Sequence, residues 1–327
     1  MIAAETMSGR VGRAWRGVAT SEAGPIYGVL ALMALASWAV IAATGGDVNV
    51  TTTLVRSVAL GMVAVGQTLV ILGGSLDLSV AYQVSVTAVM ASYFMQGDPD
   101  RMLPSVAAVV GIGIAIGLAN GLIITGLGVN AFIATLGTGL ILRGVLNASF
   151  DNFAGAVPRE FQSLGYDELG PIPYSVLLFA AIVAVGWFLL RSTRFGHHLY
   201  AVGGSEETAR LSGVRSARAL IGAHVLCSLT AVLTGLFIVS RLRAGAPWVG
   251  PDGNYDLESI AAVVLGGTAL MGGRGGVLGT LGGVFILAVL DNVFNELEFD
   301  AFLKDVVRGV VIIAAVALYA RRSPRQA

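Results

Sequence analysis

Charge is what this sequence has least of. It holds 20 Lys+Arg and 20 Asp+Glu in 327 residues, 12 % of the chain, about half the ~25 % of soluble domains. A soluble globule of this length needs a far more charged surface. The net charge is zero, which gives no expectation of a nucleic-acid partner. One cysteine, Cys227, excludes an internal disulfide framework. One lysine, Lys304, stands between Leu303 and Asp305, so no phosphate-cradling loop ending in Gly-Lys-Ser/Thr exists. Neither a His-Glu-x-x-His zinc motif nor a Gly-x-Ser-x-Gly nucleophile elbow is present. His197 and His198 are adjacent in a basic segment, without a companion at helical spacing, and read as solvated or interface residues. Disorder is excluded in turn, because 55 % of the residues are hydrophobic and the mean hydropathy is +0.80.

What the chain has in quantity is apolar length and glycine. A helix needs ~20 mostly apolar residues to cross a bilayer. Ten segments meet that measure: 25–43, 54–72, 78–95, 104–125, 131–150, 172–190, 218–240, 257–272, 277–294 and 303–320. The first, at 19 residues from Pro25 to Ala43, exceeds the ~7–15 of a cleaved signal core and is read as retained. The expectation is an all-α polytopic membrane protein with a cytoplasmic segment 1–24, a permeation domain 25–320 and a tail 321–327. Positive charge sets its direction. With both termini cytoplasmic, the inner side collects Arg10, Arg13, Arg16, the arginines of 191–218, Arg274 and the arginines of the tail. The outer side keeps Arg101, Arg159, Arg241, Arg243 and Lys304. The basic connection 191–217 is then an inner loop able to meet another protein, and the acidic 151–171 an outer one.

Glycine (44 residues) costs ~1 kcal/mol inside a helix, so paired glycines mark places where helix is easily lost. Two such places begin alike, Leu72-Gly73-Gly74-Ser75 and Leu265-Gly266-Gly267-Thr268, the second running on to Gly272-Gly273-Arg274-Gly275-Gly276. Gly-interrupted spans in both halves of a membrane chain point to a transport path. Close helix packing is the competing explanation. The spacing of Gly113, Gly117 and Gly121, and of Gly279 and Gly283, favours packing outright. Asp77 and Ser79 follow the first break; Asp77 suits a helix cap or a pairing role. Arg143 and Asp291 lie inside spans, where charge is costly and commonly functional. Gln67, Asn120, Asn130 and Asn292 suit either a polar path or inter-helix hydrogen bonds, and His224 suits an inter-helix core.

Four stretches, in order, carry a family resemblance: Gly73-Gly74-Ser75-Leu76-Asp77-Leu78-Ser79-Val80; Phe132-Ile133-Ala134-Thr135-Leu136-Gly137-Thr138 with Arg143-Gly144; Arg194-Phe195-Gly196-His197-His198 through Gly203-Gly204; and Ile260 to Thr268 with Gly272-Gly273-Arg274-Gly275. Together they resemble the ribose-type permeases of carbohydrate-uptake ABC transporters, within a wider group that also serves branched-chain amino acids. The likeness spans about 25–320. Ser75-Leu76 stands where that family has one residue, and Ala81 where it has glycine. A fifth stretch, Glu206-Glu207-Thr208-Ala209-Arg210-Leu211-Ser212-Gly213, resembles the loop that docks on the ATPase subunit, with Thr208 in place of an alanine. Ser205 can cap a short helix there, Glu206 and Glu207 suit its first turn, Ala209 keeps the surface narrow and Gly213 can end it.

The resemblance implies a non-enzymatic permease subunit of an ATP-driven importer, moving a monosaccharide or related polyol. It implies no cofactor in this chain, with ATP and Mg on partner ATPase subunits, plus an extracytoplasmic solute-binding protein, a second permease copy and the lipid of a bacterial inner membrane. The ATPase-coupling loop is then Glu206, Glu207, Thr208, Ala209, Arg210 and Gly213. The breaks and translocation path involve Gly73, Gly74, Asp77, Ser79, Gly266, Gly267, Thr268, Gly272 and Gly273, and crowding is expected for a leucine at Gly267. Two alternatives stay open: an ABC permease for branched-chain amino acids or nucleosides, and an ion-coupled secondary transporter.

Overall fold

The computed structural model describes residues 24–44 and 50–300, with 302–304, 306–307, 309–310 and 313 beyond them. The arginines expected near the N-terminus, the tail 321–327, Arg308 and most of the expected span 303–320 lie outside the described residues. The described chain is helical: α1 Gly24–Thr44, α2 Val50–Leu72, α3 Val80–Met95, α4 Met102–Leu127, α5 Ala131–Ser149, α6 Tyr174–Ser192, α7 Arg194–Gly204, α8 Glu206–Leu211, α9 Ser216–Leu242, α10 Tyr255–Leu265 and α11 Val277–Glu296. The all-α expectation needs one addition. Glu168–Leu169 and Ile172–Pro173 form a minimal antiparallel hairpin, β1–β2, between α5 and α6.

Among the described residues six helices, α2, α4 with its preceding turn, α5, α6, α9 and α11, are long and apolar enough to cross a membrane. Two expected spans differ from the reading of the sequence. The span 78–95 is a helix only from Val80, because residues 73–79 are non-helical. The span 257–272 is not a continuous helix: α10 ends at Leu265 after 11 residues, and 266–276 form a loop. Glycine is neutral to hydropathy but weak in helix, so an apolar count runs through a place where the backbone turns.

The centre of the bundle is α2 and α9. Every residue of α2 from Ser57 to Leu72 is buried, as expected of a helix that is apolar all round. The 27-residue α9, about 40 Å long at 1.5 Å per residue, packs against α4, α2 and α3. Its approach to α4 is permitted by the glycine stripe. A methyl group on Gly117 would lie 2.7 Å from Val225 Cα, and one on Gly121 2.8 Å from Ile221 Cα. On the other side α10 and α11 meet glycine to glycine, Gly266 on Gly279. The outer helices turn Leu118, Leu140, Ile141, Val145 and Phe188 outward, the surface that hydrocarbon rather than water accommodates.

Candidate functional site

Both breaks are built from the same helix end. At the first, Gly74 N donates to Ile71 O (2.9 Å) and Ser75 N to Val70 O (3.1 Å), with Gly74 at φ +79°. At the second, Gly267 N donates to Val264 O (2.8 Å) and Thr268 N to Val263 O (3.1 Å), with Gly267 at φ +84°. This is the pair of bonds that satisfies the last carbonyls of a helix around a left-handed residue. It explains why the two stretches share Leu-Gly-Gly-hydroxyl: the second glycine must be left-handed, and the first must admit a neighbour. A methyl group on Gly73 would meet Leu220 at 2.8 Å, and one on Gly266 would strike the backbone of Gly279. For Gly267 itself the constraint is its dihedral angle rather than the crowding expected, since only Ile26 comes within 4 Å, at 3.1 Å.

After the first break the chain enters a buried polar knot. Asp77 is fully buried. Its carboxylate accepts from Ser79 N at 2.9 Å, from Ser79 Oγ, from Asn120 Nδ2 at 3.4 Å and from His224 Nδ1 at 3.2 Å. His224 Nε2 lies 2.9 Å from Ser75 Oγ. Asn120 Nδ2 also donates to Ser79 Oγ (2.9 Å), and Thr138 Oγ1 donates to Asn120 Oδ1 (2.7 Å). Leu78 N donates to Thr135 Oγ1 (3.1 Å). The non-helical residues are thereby fastened to α4, α5 and α9 at once, which is how backbone without helix is tolerated at membrane depth. The order Ser75–His224–Asp77 is that of a nucleophilic triad. Ser75 is only 5 % exposed and the other two not at all, so in this structure the three are closed to solvent.

The two breaks meet each other and a third glycine pair. Gly273 N donates to Leu72 O (3.0 Å), and Tyr200 Oη to Gly275 O (2.8 Å). A methyl group on Gly272 would lie 2.8 Å from both Gly203 Cα and Gly74 N. One on Gly273 would lie 2.8 Å from Gly204 Cα and N. Gly73-Gly74, Gly203-Gly204 and Gly272-Gly273 thus form one junction of three backbones in contact. In the sequence Gly203-Gly204 ended a family-like stretch and was not read as part of a break, because it closes a short helix outside the apolar spans.

Helix α8 leaves this junction through Ser205. Ser205 Oγ accepts from Thr208 N (3.3 Å) and donates to Thr208 Oγ1 (2.9 Å), an N-cap. Glu206 and Glu207 occupy the first turn. The C-terminal end is closed by Gly213 N to Arg210 O and Val214 N to Ala209 O, both 3.0 Å, with Gly213 at φ +83°. Ala209 does not shape an outer surface as expected. It is buried against Val202, Ala219 and Leu220, and so seats α8 on the bundle. Glu206, Glu207, Thr208 and Arg210 are exposed. So is Leu211, at 80 %, an apolar anchor on a charged helix that the sequence reading passed over. Beside the junction His197, Tyr200, Arg191 and Gly267 border a cavity of about 420 Å³.

At the other end of α9 a cavity of about 930 Å³ is bordered by Thr51, Arg56, Tyr166, Arg241, Trp248 and Asp252. Arg241 and Arg243 stack over Tyr166, 5.9 and 5.2 Å from its centre, and Tyr166 Oη donates to Arg241 O (2.7 Å). Asp291 borders an adjoining cavity with Arg56 and Lys304. Asn130 caps α5 by accepting from Phe132 N, and Gln67 Oε1 lies 3.6 Å from Cys227 Sγ.

The family model described as "Branched-chain amino acid transport system / permease component" matches residues 49–316. The ribose import permease of Escherichia coli (strain K12) is 38 % identical over 264 residues, 78 % of this chain and 80 % of that protein. The galactose/methyl galactoside import permease of the same strain is 33 % identical over 298 residues, 84 % and 88 % of the two chains. Its L-arabinose transport system permease is 36 % identical over 257 residues, 78 % and 77 %. No solved structure matches the chain. With the broken spans, the apolar bundle and this breadth of similarity together, the chain belongs to that family: it is a multi-pass membrane permease component of an ABC importer, similar to the ribose, galactose and arabinose permeases and not itself the catalytic subunit.

Proposed function

We propose that this permease carries a monosaccharide or related polyol inward, received from an extracytoplasmic binding protein and driven by ATP, with its Mg, on separate ATPase subunits. The end bearing α7 and α8 is cytoplasmic on this reading, as the arginines of 191–218 favour, and both termini lie on that side. The exposed face of α8, with Glu206, Glu207, Arg210 and Leu211, docks on the ATPase, and a second permease copy completes the pathway. One observation carries the reading: Ser205 alone separates α8 from the glycine junction where both helix breaks touch. A displacement of α8 by the motor therefore acts at once on the ends of α2 and α10. Coupling of this kind needs two packed arrangements that nucleotide and cargo favour unequally. The relatives named for ribose, galactose and arabinose support a sugar cargo.

The test uses the buried Cys227 as a silent background. Arg210→Cys introduces an accessible thiol on α8. In membranes holding the full importer it is expected to cross-link to the ATPase subunit and to block ATP-driven uptake of ribose, galactose or arabinose. No cross-link with uptake intact overturns the docking assignment. Uptake of leucine or a nucleoside in place of every sugar overturns the cargo.

A further inference from the structure

A further cavity, at the same end of the bundle as that of about 930 Å³, has the chemistry of a carbohydrate site. It measures about 500 Å³, within the ~300–1,000 Å³ of small-molecule sites. Three aromatic rings border it, Tyr82 from α3, Phe150 from the end of α5 and Trp248, together with Arg143, Asn147 and Asp151. Arg143 and Asn147 are four residues apart on α5 and so share a helix face, and Asp151 follows just past the helix end. Arg143 is exposed on α5 and borders this cavity, and an arginine within a span is retained where a cavity admits water to it.

The walls are held before any ligand arrives. Trp248 stands edge-on to Phe153, with centres 5.2 Å apart, and Phe150 edge-on to Tyr93 at 5.6 Å. The loops carrying them are bridged where Ala154 and Gly245 exchange hydrogen bonds of 2.8 and 3.0 Å. Ser92 Oγ braces both residues, donating to Ala154 O at 2.7 Å and accepting from Gly245 N at 2.9 Å. Gly250 N is held by Ser85 Oγ at 3.0 Å. Rigid walls lower the ordering cost of binding. Trp248 also borders the cavity of about 930 Å³, so the two cavities share this residue.

We infer that this cavity is a transit site for a neutral monosaccharide or polyol, next to the cavity of about 930 Å³. Aromatic faces suit the C–H faces of a sugar ring. A guanidinium, a carboxamide and a carboxylate suit its hydroxyls, which both donate and accept. One Arg against one Asp leaves the lining without net charge, which favours an uncharged ligand over an acid or an amine. The inference rests on the sugar-importer reading above and adds to it the place where cargo is held.

The experiment compares wild-type, Arg143→Gln, Trp248→Ala and Trp248→Phe permeases in proteoliposomes containing the full importer, with ribose, galactose and arabinose as probes. Binding to the full-length permease in nanodiscs is followed by saturation-transfer NMR. Arg143→Gln and Trp248→Ala are expected to reduce uptake about tenfold, the scale of one lost hydrogen bond to a charged group. The saturation-transfer signal should fall with it, while nucleotide hydrolysis and thermal stability are unchanged and Trp248→Phe restores most of the uptake. Arg143→Gln, exposed on α5, keeps the test valid if Trp248→Ala fails to fold. Wild-type sugar uptake and sugar signal in Arg143→Gln overturn the site and leave the importer reading standing. A wild-type importer that moves none of the three sugars overturns the cargo reading, and the site with it.

Discussion

Gly272→Ala adds one methyl group at the point where three backbones touch. Gly272 has φ +89°, a region that costs an L side chain about 1–2 kcal/mol. The new methyl carbon would lie 2.8 Å from Gly203 Cα and Gly74 N, and backbone neighbours cannot rotate away as a side chain end can. Overpacking of this kind costs about 1–3 kcal/mol, so the two effects together give roughly 2–5 kcal/mol. At ~1.4 kcal/mol per factor of ten, a loss of ~3 kcal/mol lowers the population of the closed junction more than a hundredfold. Gly111→Ala is the matched control. It lies in α4, where a methyl group meets nothing within 4 Å, and helix propensity alone should stabilise it by ~1 kcal/mol. The assay is thermal unfolding of the purified permease beside ATP-driven uptake in the assembled importer. Gly272→Ala should unfold earlier and lose transport, while Gly111→Ala should do neither. A Gly272→Ala protein with wild-type unfolding and uptake would refute the junction as a tight, obligatory contact.

Asp77→Asn replaces one of the carboxyl oxygens that four donors address, and leaving a buried network half satisfied should cost about 3–5 kcal/mol; an unchanged unfolding temperature would show the knot to be dispensable. Gly117→Leu forces α4 away from Val225 and should yield little folded protein in membranes, whereas normal expression and unfolding would mean that α4 and α9 do not pack through the glycine stripe. Glu207→Arg reverses a charge on the exposed face of α8 without touching its buried Ala209, and should leave the permease inserted but disconnect nucleotide hydrolysis from uptake; tight coupling in that variant would count against α8 as the docking element.

Much of this architecture was legible from residues alone, for identifiable reasons. Apolar runs located the long helices because lipid imposes a length on them. The two Leu-Gly-Gly-hydroxyl stretches were visible as breaks because helix ends have their own chemistry, and the α8 caps at Ser205 and Gly213 were readable on the same ground. What was not legible is pairing across distance. Gly273 bonds to Leu72 and His224 to Asp77, and no local pattern encodes a partner so remote in the chain. Ser75, one of the two residues that stand where the family has one, became intelligible only beside His224. Ala209 was read as keeping a docking surface narrow, because a short polar loop suggests a surface, whereas it is buried and seats α8. Segment 257–272 passed as a span because hydropathy does not register a backbone that turns.

On the importer reading, this permease moves solute only when a separate nucleotide-driven motor acts on α8. The direct measurement is accumulation of labelled ribose, galactose and arabinose in proteoliposomes containing the permease alone or with its ATPase subunits and binding protein, each with ATP or with an imposed proton or sodium gradient. Accumulation is expected only in the full assembly with ATP, unaffected by a protonophore. Accumulation by the permease alone under an ion gradient would contradict the account.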